Sequence, residues 1–189
     1  MAKRKRSQRF VSRGGDKLDG ALASLNLEVR DRVAADLGAN VGGFTDCLLQ
    51  RGARRVYAVD TAYGVLDWKL RQNPRVVTME RTNALHVALP ELVDLVVIDV
   101  GWTPLGLILP RALGLLRQTG GVVALLKPQY EAESAERMQG VVPRDRLPEV
   151  VSRTVKALED SGVSVARQVA SAVLGSGGNQ EIFLLVHRD

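Results

Sequence analysis

An aspartate, Asp99, ends the apolar run VVIDV. A lysine, Lys127, ends VVALLK, and a glutamate, Glu181, opens EIFLLVH. Ionisable groups at the ends of apolar strands are costly to bury singly, so these positions predict pairing. Ligands of open α/β sheets bind beyond the carboxyl ends of the strands. If the last strand runs antiparallel, all three groups reach that edge. Charged groups meeting at such an edge are candidates for work on a ligand. The plainer reading is a structural ion pair. Lys17, in SRGGDKL after a basic tail, is either one more surface charge or a further member of the group.

A second cluster suits a cofactor. ADLGANVGGFTD (35–46) follows the first apolar run and opens a helical one. Gly38, Gly42 and Gly43 allow a tight turn and close approach of backbone to a ligand. Close packing of helix on strand is the alternative. The G-x-x-x-G-G spacing does not fit the dinucleotide fingerprint or a P-loop. Asn40 and Phe44 belong to the same loop, with Phe44 under a cofactor or simply in the core. Asp60 ends the next strand, where a carboxylate binds ribose hydroxyls, or else caps a turn. Glycine loop and Asp60 together point to a nucleoside-containing cofactor. Asn83, in RTNA (81–84), is either an adenine contact or an ordinary turn residue.

The elements that must hold these residues alternate. Strands are expected at 33–37, 54–60, 75–80, 93–100, 121–128, 163–171 and 181–187. Helices are expected at 16–26, 43–52, 64–73, 104–118 and 148–162. The pattern is that of an α/β domain with a mostly parallel sheet and helices on both faces. A short Gly-rich link before the final strand permits that strand to be antiparallel. Residues 129–145 are too polar for a regular element, and a long loop over such a sheet is often functional.

The net charge of +5 is concentrated: residues 1–17 carry +6 and the remainder −1. Residues 1–10 are expected to form a flexible basic arm, and residues 11–189 a single domain. Lys3, Arg4, Lys5, Arg6, Arg9 and Arg13 suit the phosphates of a polyanion, or form a solvated tail. The single cysteine, Cys47, excludes an internal disulfide and suits a reducing compartment. No apolar segment follows the basic tail, so no export signal is read. No run approaches the roughly 20 apolar residues of a membrane helix. A cytoplasmic protein with no membrane partner is therefore expected. His86 and His187 are isolated, with no metal-ligand spacing, so no metal is expected. Trp68 is expected to be partly buried, and Trp102 either stacks on a base or joins the core.

The segments VSRGGDKL, DLGANVGGFTDCLLQRGARRVYAVD, WKLRQNPRVV, ERTNA, DLVVIDV, LLKPQYE and GNQEIFLL resemble the FtsJ-type ribose 2′-O-methyltransferases, and within them the TlyA (hemolysin A-like) subgroup. The resemblance runs from about Phe10 onward. It implies a Rossmann-like, seven-stranded methyltransferase fold and S-adenosylmethionine at Gly38, Asn40, Gly42, Gly43, Phe44, Asp60, Asn83 and Asp99. It also implies a catalytic Lys-Asp-Lys-Glu tetrad, here Lys17, Asp99, Lys127 and Glu181. Ribosomal RNA is the implied partner, with 2′-O-methylation of its ribose as the reaction. That subgroup usually carries an N-terminal S4 RNA-binding domain, where only a short basic arm is expected here. Gly101-Trp102 stands in place of a Ser-Phe pair, and GSGG in place of a lysine-containing loop. The competing expectation is an RNA- or ribosome-binding factor that keeps the fold without turnover.

Overall fold

The computed structural model describes residues 9–188. In chain order the elements are α1 (Arg13–Ser24), β1 (Val33–Leu37), α2 (Gly43–Gln50), β2 (Arg55–Val59), α3 (Trp68–Arg71), β3 (Val76–Met79), β4 (Val93–Ile98), α4 (Leu105–Gly114), β5 (Leu116–Leu126), α5 (Pro128–Glu131), α6 (Leu147–Asp160), β6 (Ser164–Ala170) and β7 (Ile182–His187). The seven strands form one sheet in the order β3-β2-β1-β4-β5-β7-β6. Pairing is parallel from β3 through β5, and β7 is antiparallel to both of its neighbours. This is the expected mostly parallel sheet with an antiparallel last strand.

Both faces are covered, which is why the central strands read as apolar runs rather than alternating ones. Ala35, Leu37, Val96, Ile98, Ala124 and Leu184 pack under α4 and α6. Ala34, Leu95, Val97, Val123, Leu125 and Phe183 pack under α1, α2 and α3. The register then delivers the polar strand ends to one edge. Leu37 pairs with Ile98, Ile98 with Ala124, and Leu126 with Ile182. Asp99, Lys127 and Glu181 therefore emerge together.

Helix α1 approaches α2 with little between them. Ser12 caps it, accepting a hydrogen bond from Gly14 N–H. A Cβ on Gly15 would fall inside the Phe10 ring, and one on Gly43 would meet Ser12 Oγ. Phe10 is 2% exposed. The basic arm expected at 1–10 thus loses Phe10 to the core, which needs that aromatic to seat α1.

Three expected elements differ. The helix at 64–73 shrinks to Trp68–Arg71, because Gly64 takes a left-handed φ of 74° and the chain straightens before Asp67 caps the turn. Trp68 is 70% exposed rather than partly buried. The helix at 104–118 ends at Gly114, and Leu116 already belongs to β5. The polar segment 129–145 holds the single turn α5, a 3-10 turn at Ser134–Glu136 and a bridge between Met138 and Val141.

Gly15→Ala should lower unfolding stability by about 1–3 kcal/mol, because a buried ring must move. Gly114, whose added Cβ meets nothing within 4 Å, is the control. Gly114→Ala should stay within about 0.5 kcal/mol of wild type in the same urea titration.

Candidate active site

The carboxyl edge of the sheet carries a cavity of about 560 Å3, lined by Lys17, Asp99, Lys127 and Glu181 together with Gly38, Asn40, Asp60 and Asn83. The four charged residues form two ion pairs. Lys17 Nζ lies 2.5 Å from Glu181 Oε2, with side chains 12% and 3% exposed. Lys127 Nζ lies 2.5 Å from Asp99 Oδ1, with side chains 16% and 25% exposed. Lys17 arrives from the first turns of α1, which the Phe10 and Ser12 contacts hold in place. Lys127 leaves β5 in extended conformation and caps α5. Glu181 packs so closely on Gly175 that a Cβ there would overlap its carboxylate. The first glycine of GSGG therefore makes room for a tetrad residue.

The glycines of the loop have different surroundings. Gly38 has a φ of 91°, and a Cβ on it would meet the backbone of Asp99. Gly38 and Asn40 line the cavity. Gly42 does not: its φ is 100°, and a Cβ there would strike Leu70 and Leu66, so packing against the α3 segment is what requires glycine. Gly43 and Phe44 line a smaller adjoining cavity of about 250 Å3. Phe44 is buried in the core as well, its ring 6.0 Å from that of Phe183.

Asp60 caps the turn that follows it and also faces the cavity. Its Oδ2 accepts from Asn40 N–H at 2.7 Å and its Oδ1 from Ala62 N–H at 2.8 Å. A carboxylate has about four lone-pair sites, so acceptor capacity remains toward the cavity. Asn83 likewise lines the cavity while its side-chain oxygen accepts from Leu85 N–H in a turn.

The expected RNA contacts separate. Lys3, Arg4, Lys5 and Arg6 lie outside the described residues. Arg9 is tied to Asp19 at 2.6 Å and lies over the Phe10 ring. Arg13 is exposed and lines the smaller cavity. Trp102 is 84% exposed, not in the core, and sits in the left-handed region at φ 64°. Its ring is 5.0 Å from that of Tyr130, whose face lies 5.9 Å from Lys127 Nζ. Cys47 is fully buried, and burial pushes its thiol up to about 12.

One residue near the site escaped the sequence reading. Asp36 is fully buried at the end of β1. Its Oδ2 accepts from Thr45 Oγ1 at 2.7 Å, while Oδ1 has no hydrogen-bond partner among the described residues. Burial raises its carboxyl to about 7, opposed by the Thr45 hydrogen bond and reinforced by the charges of Asp99 and Asp60. The signal was an acid inside the apolar run VAADL.

The FtsJ-like methyltransferase profile matches residues 10–188. The chain belongs to the FtsJ-like methyltransferase family. It is 41% identical over 182 residues to the 16S/23S rRNA (cytidine-2′-O)-methyltransferase TlyA of Mycobacterium tuberculosis, covering 93% of this chain and 67% of that protein. It is 34% identical to hemolysin A of Brachyspira hyodysenteriae, covering 92% and 75%. A solved structure described as a hemolysin from Streptococcus thermophilus is 40% identical with a TM-score of 0.91, covering 99% of this chain and 70% of that one. Fibrillarin of Aeropyrum pernix, solved with S-adenosyl-L-methionine bound, is 21% identical with a TM-score of 0.62 over 92% of this chain and 76% of its own, which shows the fold. The chain spans about two thirds of the length of the curated relatives it matches first.

The cofactor of an FtsJ-like methyltransferase domain is S-adenosylmethionine, and the donor set here fits it. Asp60 offers acceptors for ribose hydroxyls, and Ala84, Leu85 and Ile108 provide an apolar wall beside Asn83. The cavity is within the roughly 300–1,000 Å3 range of small-molecule sites. No helix among the described residues is long and apolar enough to cross a membrane.

Asp36 yields a pH prediction. Its folded value of about 7 lies above the ordinary 3.8, so the native state binds the extra proton between those values. Stability from this group falls as pH rises through that window and is flat above it. Asp36→Asn, which keeps an acceptor for Thr45, should match wild type near pH 4 and exceed it by ~1–3 kcal/mol at pH 8. Urea unfolding at the two pH values checks this.

Proposed function

We propose that this protein transfers the methyl group of S-adenosylmethionine to a ribose 2′-hydroxyl of ribosomal RNA. The observation that carries the reading is the convergence of two lysine–carboxylate pairs on one cavity beside the Asp60 end of the cleft. When bound, the cofactor supplies a methyl group already activated on a sulfonium. The remaining work falls to the protein: align a weak hydroxyl nucleophile and take up its proton.

Lys127 is the residue that positions the acceptor hydroxyl and handles its proton. Asp99, 2.5 Å away, fixes the Lys127 side chain and gives the hydroxyl a second anchor. Glu181 holds Lys17, whose charge meets the phosphate next to the reacting ribose. Alignment of this kind contributes much of the rate in reactions between positioned groups. The exposed Trp102 ring, paired with Tyr130, offers a face on which a splayed RNA base stacks. RNA as substrate draws on the Mycobacterium tuberculosis relative, which is named an rRNA methyltransferase, and on the +6 charge of residues 1–17.

The test uses purified full-length protein, labelled S-adenosylmethionine, and separate pools of ribosomal subunits, free ribosomal RNA and transfer RNA. Digested RNA is scored for 2′-O-methyl nucleosides by mass spectrometry. A 2′-O-methyl product is expected in a ribosomal pool with wild type. Lys127→Ala should lower transfer by at least ~10²-fold, the scale of a lost acid–base or positioning group, while cofactor affinity changes little. Cofactor binding with no product in any pool would favour a binding factor on the same fold. Loss of cofactor binding in Lys127→Ala would contradict the role given to Lys127.

A further inference from the structure

At the pole of the sheet opposite the tetrad, where β1, β2, β4 and β5 begin, lies a cavity of about 450 Å3. Its charged lining is Arg30, Asp31, Arg32, Arg54, Asp94 and Arg117. Asp31 N–H donates to Gly52 O at 2.9 Å, and Arg54 N–H to Arg32 O at 2.8 Å. The two segments that enter β1 and β2 are thereby held side by side. Asp94 is spent on the fold: Oδ2 accepts from Val33 N–H and Oδ1 from Arg117 Nη1, both at 2.8 Å. Arg117 also reaches Glu91 at 3.1 Å. Glu28, just before the cluster in sequence, turns its Oε1 to the N–H groups of Val29 and Arg30. Arg30, Arg32 and Arg54 make no ion pair or side-chain hydrogen bond with any described residue. Of the lining acids, Asp31 alone is left to oppose these three guanidiniums.

Resting on the RNA reading above, we infer that Arg30, Arg32 and Arg54 hold the phosphate backbone of the RNA substrate at a place remote from the nucleotide being methylated. Residues 18–189 sum to a charge of −1, so three guanidiniums without counter-charges on one face are a local excess. Like charges held together repel, and a bound anion relieves that repulsion. Guanidinium suits phosphate because its planar fork can donate two parallel hydrogen bonds to one phosphate group. The five residues of β1, at roughly 3.3 Å each, separate the cluster from the catalytic edge by about 17 Å. A single nucleotide cannot touch both ends of the sheet, whereas a folded RNA chain can. Three cations side by side also match a chain of phosphates better than one isolated anion. Such contacts fix orientation and add affinity without reading a base.

The test is the salt dependence of RNA binding by the full chain, read by fluorescence anisotropy on a labelled mixed-sequence RNA duplex. Arg54→Gln should lower the slope of log affinity against log salt by about 1, and the triple change Arg30→Gln, Arg32→Gln, Arg54→Gln by about 2–3. The triple variant should bind the duplex about tenfold or more weakly at low salt. Its S-adenosylhomocysteine affinity should equal that of wild type, which shows that the fold is kept. Lys156→Gln removes an exposed cation from α6 and should leave the slope unchanged. With a ribosomal pool that accepts methyl groups, the triple variant should raise KM for RNA and leave the single-turnover rate at saturating RNA unchanged. Unchanged RNA affinity and slope in the triple variant would overturn the inference while the RNA reading stood, and would leave an acidic protein as the partner of this face. A loss with Lys156→Gln equal to that with Arg54→Gln would also overturn it, since charge would then act from anywhere on the surface. Failure of wild type to bind any RNA would reject the RNA reading itself, and the inference with it.

Discussion

The ion pair between Lys17 and Glu181 joins residues 164 positions apart, the first helix to the start of the last strand. Both side chains are largely withdrawn from water. Removing one partner of such a pair leaves an uncompensated charge, which typically costs ~3–5 kcal/mol. The packing around it follows from that cost. Phe10 lies on Gly15, Ser12 on Gly43, and the Glu181 carboxylate on Gly175. Each contact has no room for a side chain, and each fixes one end of the pair. A helix that could slide on α2 would carry Lys17 away from its counter-charge.

The second pair is set by strand register rather than by helix docking. Asp99 and Lys127 leave the parallel neighbours β4 and β5, and Glu181 precedes the antiparallel β7. The reversal of β7 brings its beginning to the edge where the others end. Asp36 lies near Asp60 and Asp99 at this edge, and its buried carboxyl is held toward its neutral form. A cationic ligand entering the cleft would relieve that crowding. A perturbed carboxyl of this kind is characteristic of functional sites.

The strands were legible because burial on both faces writes them as apolar runs, and their ends carry Asp99, Lys127 and Glu181. Other features depended on tertiary contacts that no local pattern encodes. The helix expected at 64–73 has good helical residues, yet Leu66 and Leu70 are drawn onto Gly42 and only four residues remain helical. Gly42 looked like part of a ligand cradle and proves to be a packing position. Trp68, placed by that shortened helix, faces solvent. Arg9 and Arg13 looked equivalent as basic residues, but only Arg9 finds Asp19. Asp36 was visible as an acid in an apolar run. Its significance required knowing that two more carboxylates converge on it.

In the proposed reaction the two lysine–carboxylate pairs hold one acceptor nucleotide, its hydroxyl and the neighbouring phosphate, as a unit. The direct measurement is the single-turnover rate of methyl transfer to the RNA substrate for Lys127→Met, Lys17→Met and the double variant, with cofactor saturating. Groups that act as a unit are grossly non-additive. The double variant is expected to be scarcely slower than the worse single variant. Losses that multiply would mean that the two lysines contribute independently, and would contradict it.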